Sequence, residues 1–74
     1  MKYKIQFIEI GRSKYSHEFI KEFSDVEERN TWLLSEVMKH LVSSNVYLDE
    51  IEEGILTVSA GVHTVGKVII KEIK

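Results

Sequence analysis

Gly61, Gly66, Lys67 and Val68 have the spacing that first suggests chemistry, because together they read Gly-x4-Gly-Lys followed by valine. A phosphate-binding loop shares that glycine and lysine spacing. It ends, however, in a Ser or Thr that holds magnesium, and it leads from a strand into a helix whose amino-terminal amides cradle phosphate. Here valine replaces the hydroxyl and Val68, Ile69 and Ile70 read as a strand, so the segment is expected to be a glycine-punctuated turn. His17, His40 and His63 lie far apart, without the close His or Cys spacing that gathers ligands on one metal, and the chain has no cysteine. His40 is expected near a helix end, where the dipole is negative. His17 is expected opposite Glu9 in a hairpin and His63 in a turn. His63 and Thr64, adjacent in sequence, point apart and make no base and nucleophile pair. Glu27 and Glu28, Asp49 and Glu50, and Glu52 and Glu53 are adjacent acids on expected wet surfaces, not a dyad in a shared cleft. Asp49 to Glu53 also lacks the alternating ligands and central glycine of a calcium loop. No catalytic residue, cofactor or metal site is predicted, and the chain is read as a non-enzyme.

The elements that would position any surface follow from periodicity. Tyr3, Ile5 and Phe7 alternate with Lys4 and Gln6, the period of a strand with one buried face, running to about Ile10. Gly11 to Lys14 is turn chemistry and Ser16 to Phe23 alternates again, which makes a hairpin. Side-chain matching favours the register in which Phe7 faces Phe19, Tyr3 faces Phe23, Glu9 faces His17 and Lys4 faces Glu22. Ser24, Asp25, Val26 and Glu27 spell a capping box, with Ser24 as cap and Glu27 reaching back. Val26, Leu33, Leu34, Val37, Met38 and Leu41 then recur at helical spacing to about Ser43, with Asn45 as a left-handed stop. Trp32 lies one residue off that stripe and is placed at the core border. Val46 to Ile51 and Ile55 to Ala60 flank a three-residue loop, Glu52 to Gly54, with Val46 facing Ala60, Leu48 facing Val58 and Ile51 facing Ile55. Gly61 to Gly66 reverses the chain and Lys67 to Ile73 supplies the last strand. The expected architecture is α+β, a single helix packed on one face of an antiparallel sheet in the order ββαβββ, with residues 1–74 as one domain.

Length and composition bound what such a fold can do. A chain of 74 residues, 43% hydrophobic, with no proline, buries only about 60% of the surface its unfolded form exposes, which leaves little room for an interior pocket. No apolar run approaches the roughly 18 residues a membrane span needs, and Met1 to Gln6 lacks the continuous apolar stretch of a secretion signal; a cytoplasmic location without membrane contact is expected. Residues 1–23 carry a net +2, residues 24–53 a net −6 and residues 54–74 a net +2. Basic residues spread over both ends do not make the concentrated field that duplex binding needs.

The strongest functional signal is apolar residues on the face the helix leaves open. If the helix covers Tyr3, Ile5, Phe7, Phe19, Phe23, Val46, Leu48, Leu56, Val58, Val68 and Ile70, the other side carries Ile8, Ile10, Ile20, Tyr47, Ile51, Ile55, Ile69 and Ile73. Contiguous apolar patches of that extent usually mark interfaces, and these eight residues are the expected partner-binding surface. The expectation is a small protein-binding module, a regulator or inhibitor that docks on another protein or forms a homodimer through the open sheet face or an edge strand. Its Lys, Ile and Glu bias is common in low-GC prokaryotic and phage proteins. The alternative is nucleic-acid binding by the basic first hairpin, with Lys2, Lys4, Arg12, Lys14 and Lys21 on phosphates.

Overall fold

Alternation of apolar and polar side chains produces five strands, and a 3.6-residue period produces one helix, in the computed structural model, which describes residues 1–41 and 45–73. The elements are β1 (Lys2–Ile10), β2 (Tyr15–Glu22), α1 (Val26–Met38), β3 (Val46–Glu52), β4 (Ile55–Ala60) and β5 (His63–Ile73). All pairings are antiparallel, and the sheet order is β2-β1-β5-β4-β3. This is the expected α+β architecture in the order ββαβββ. The last strand inserts between β1 and β4, so the chain's two outer segments become central and β2 and β3 become edges.

One sheet face is covered by α1. Tyr3, Ile5, Phe7, Phe23, Leu56, Val58, Val68 and Ile70 are buried there with Leu33 and Val37 of the helix, and Phe19, Val46 and Leu48 pack half-buried against them. Every residue assigned to the covered face by alternation lies on it. Trp32 is half-buried at the border, as its offset from the stripe implied, 5.2 Å from Phe19 and 5.7 Å from Phe23 between ring centroids, with the Lys21 ammonium 4.9 Å over its ring. The stripe itself is narrower than expected: Val26, Leu34 and Met38 are exposed, because one helix on a small sheet buries only its central line of contact.

Four local expectations are corrected. In the first hairpin Phe7 faces His17, Ile5 faces Phe19 and Lys4 faces Ile20. The pair Ile10 and Tyr15 closes the turn, and one extra residue in β1 between Phe7 and Ile10 then shifts the register. This bulge bends β1 and turns Ile10 to the same face as Phe7, where it is 0% exposed; the Glu9 amide, displaced from the ladder, donates to Ser16 Oγ at 3.0 Å. The aromatic matching is met diagonally instead, with Phe7 5.3 Å from Phe19 and 6.2 Å from Tyr15 between centroids. At the second hairpin Val46 does face Ala60 and Leu48 does face Val58, but a bulge at Ile51 places Glu52, not Ile51, opposite Ile55. β5 begins at His63 rather than Lys67, so only Gly61 and Val62 turn the chain.

The helix start is also displaced by one residue. Asp25, not Ser24, is the cap: its carboxylate accepts from the Glu28 amide at 2.8 Å, while Ser24 Oγ donates to the Glu28 carboxylate. A carboxylate is a stronger acceptor than a hydroxyl and is favoured by the positive helix end. Asp25→Ala is therefore expected to cost about 1 kcal/mol, read as a lower urea midpoint with an unchanged slope. At the other end α1 stops at Met38, with Lys39 as cap and amides 39, 40 and 41 bonding back three residues to 36, 37 and 38. Ser43 lies outside the described residues. Asn45 does not end the helix; its carbonyl accepts from the Gly61 amide at 2.9 Å and its side chain from the Tyr47 hydroxyl at 2.7 Å.

Candidate functional site: the open sheet face and the groove at its end

On the face that α1 leaves open, side chains form rows across the sheet. Ile20 of β2 lies beside Lys4 of β1 and Lys71 of β5; Glu18 lies beside Gln6, Ile69 and Ile55; Ile8 lies beside Lys67, Thr57 and Asp49. Lys2 neighbours Glu22 and Ile73 at one end, and Tyr47 neighbours Ser59 at the other. Of the eight residues expected to form a partner surface, Ile8, Ile20, Tyr47, Ile55, Ile69 and Ile73 occupy this face. Ile51 sits at the β3 bulge, and Ile10 is withdrawn into the core by the β1 bulge. Ile20 is 58% exposed, Ile51 59%, Tyr47 52% and Ile73 37%, while Ile8, Ile55 and Ile69 are half-covered.

Charge on this face is ordered. Lys2, Lys4, Lys67 and Lys71 stand on the two central strands, and Glu18, Glu22, Asp49 and Glu52 stand on the edge strands β2 and β3. Lys4 and Lys71 are directly opposed, a like-charge pair that destabilises an antiparallel ladder. Lys4 is offset by Glu18 at 3.3 Å, an exposed pair of small energetic worth. Sequence reasoning missed this stripe because Lys2 and Lys71 are separated by nearly the whole chain.

The five basic residues of the first hairpin do not make one surface. Lys2 and Lys4 are on the open face, Lys21 is on the helix side over Trp32, and Arg12 and Lys14 are at the hairpin tip. The aromatic residues are segregated as well: Phe7, Phe19, Phe23 and Trp32 make ring contacts with one another beneath or beside the helix, and Tyr47 alone lies on the open face.

His40 is near the helix end as expected, whereas His17 faces Phe7 rather than Glu9 and His63 begins a strand rather than lying in a turn. His40 lies past the helix end and stacks on Tyr15, centroids 3.7 Å apart and planes 12° from parallel. His17, two residues further along the same face of β2, is 6.0 Å from Tyr15 and 4.6 Å from Phe19 between ring centroids. His63 opens β5 opposite Ala60. Among the described residues no group of three or more His, Cys, Asp or Glu could hold a metal ion. No described helix is long and apolar enough to cross a membrane.

A groove of about 660 Å3 lies where the first hairpin tip, the segment after α1 and the start of β5 meet. Its walls are Ile8, Leu41, Ala60 and Val65 among apolar residues and Arg12, Lys14, Lys67, His40 and Glu9 among charged or titratable ones, with Gly11, Thr64 and Gly66 completing them. It is open to solvent and formed at the sheet end, outside the packed core. Thr64 to Lys67 of the Gly-x4-Gly-Lys segment line it, but as part of a strand with no helix following. At the opposite end of the strands a smaller hollow of about 270 Å3 is bordered by Glu50, Glu53, Glu72 and Arg29.

No family model, curated protein or solved structure matches the chain.

Proposed function

We propose that the chain is a non-enzymatic protein-binding module whose open sheet face docks an acidic and aliphatic segment of another protein. The observation that carries this reading is the pairing of exposed isoleucines with lysines of β1 and β5 along the middle of the same helix-free face, flanked by carboxylates on the edge strands β2 and β3. Isoleucine supplies dry contact area and lysine supplies electrostatic selection, the division of labour expected of a protein interface. A symmetric dimer through the centre of this face would bring Lys67 and Lys71 of two copies onto each other, which favours a second protein over a second copy. Bases of single-stranded nucleic acid stack on aromatic platforms, and Tyr47 is the one aromatic residue on the open face, the other rings lying on the covered side, which favours protein over nucleic acid. A regulator or inhibitor acts in this manner, by occupying a surface of its target.

The test is affinity capture from the native host with the wild-type protein and with Ile20→Glu/Tyr47→Glu, two exposed positions on the open face whose replacement leaves the core untouched. Retention of a specific protein by the wild type, its loss from the double variant and its release by salt are the expected results. Equal retention by both, or capture of nucleic acid alone, would overturn the reading. Light scattering after size exclusion is expected to give the monomer mass; a stable dimer abolished by the same variant would replace the second protein with a second copy.

A further inference from the structure

We infer that the groove at the end of the sheet is a binding site for a small amphipathic anion, an aliphatic or aromatic body carrying a carboxylate or phosphate head. This site adjoins the open-face interface, sharing Ile8 and Lys67 with it, but its remaining lining lies at the sheet end. Its volume of about 660 Å3 falls in the range of small-molecule sites, which combine an apolar lining with a few convergent polar groups. Leu41, Ala60 and Val65 offer the apolar lining, and Arg12, Lys14 and Lys67 stand around it against one carboxylate, Glu9. Three permanent cations facing one anion leave the groove electropositive in a chain whose net charge is −2, so the complementary ligand is an anion.

The backbone of the groove supports the same conclusion independently. Among the described residues only two that are not glycine have positive φ, Glu9 at 49° and Lys14 at 52°, and both line this groove. Such conformations are costly for side chains with a Cβ and cluster where a ligand site constrains the chain. Glu9 is held by the β1 bulge and its bond to Ser16, and Lys14 by its amide bond to the Gly11 carbonyl at 3.1 Å. The two bends set the hairpin tip, with Arg12 between them, against the end of α1 and the start of β5. A straight hairpin would carry Arg12 and Lys14 away from Lys67.

The experiment is a titration of the 15N-labelled protein with octanoate, octyl phosphate and octanol, followed by amide shifts. Saturable shifts at Gly11, His40, Leu41 and Thr64 to Lys67 are expected for at least one anion, and the tighter of the two identifies the head group. Octanol is expected to bind at least about tenfold more weakly, since it cannot make charge-assisted contacts. Arg12→Gln/Lys14→Asn is expected to weaken the anion about tenfold while leaving octanol unchanged; asparagine keeps the left-handed backbone accessible at position 14. Both residues lie off the open face, so this variant reports on the groove without touching the proposed protein interface. Equal binding of octanol and the anions, unchanged affinity in the double variant, shifts confined to the open face, or no saturable shift with either anion would each overturn the inference.

Discussion

Phe7→Ala is expected to leave the chain without a cooperative unfolding transition. The Phe7 ring is 2% exposed and is the hub of the core, in edge contact with Tyr15 and Phe19 and 6.1 Å from Trp32 between centroids. Truncating a buried phenylalanine costs about 3 to 5 kcal/mol through lost transfer energy and the cavity left behind. A single core of this size usually yields no more than about 3 to 5 kcal/mol in all. With no cysteine in the chain to form a disulfide and no cluster of metal-ligand residues among the described ones, the two quantities are equal within their spread. Urea unfolding followed by the fluorescence of Trp32, the single tryptophan, checks this directly. A sigmoidal transition within about 1 kcal/mol of the wild type would mean that the core closes over the gap, and that Phe7 is not its hub.

Gly11→Ala is expected to destabilise by about 2 to 3 kcal/mol, the sum of a left-handed penalty of about 1 to 2 kcal/mol and the cost of displacing a packed neighbour. Gly11 has φ 73°, and a Cβ there would lie 2.5 Å from the His40 carbonyl oxygen and 3.1 Å from Leu41 Cδ2. Gly61 provides the control, since its φ is 64° and a Cβ would meet nothing within 4 Å. Gly61→Ala therefore reports the backbone penalty alone, and the excess loss in Gly11→Ala reports the contact between the hairpin tip and the end of α1. Equal losses in urea titrations of the two variants would show that this contact carries no stability. Because Gly11 also donates to the Val65 carbonyl at 2.8 Å, amide shifts in the alanine variant are expected around residues 40, 41 and 65 as the groove walls part.

Particular residues show how far alternation can be read. The side of the sheet occupied by Tyr3, Ile5, Phe7, Val58, Val68 and Ile70 was legible, because a period of two leaves only two choices and burial decides between them. Register was less legible. Opposing Phe7 to Phe19 or to His17 differs by two residues, which preserves every face, and large rings reach diagonal neighbours almost as well as direct ones. Matching side chains across a hairpin thus cannot separate these alternatives. Ile10 was misassigned for a different reason: a bulge inserts one residue, breaks the parity and is selected by tertiary fit at the hairpin tip. The cap moved from Ser24 to Asp25 because both satisfy the local pattern and only the entry direction of the chain chooses.

The class of the fold, the number and order of its elements and the sheet side of most core residues were determined by the sequence itself, since hydrophobic period acts over a few residues and needs no knowledge of distant partners. The candidate sites required the tertiary structure. Inserting β5 between β1 and β4 aligned Lys71 with Lys4 and Lys67 with Ile8, and bending β1 at Glu9 drew Arg12 and Lys14 toward β5. Neither juxtaposition is visible along the chain, because charges more than fifty residues apart become neighbours only through strand order and the placement of a single extra residue.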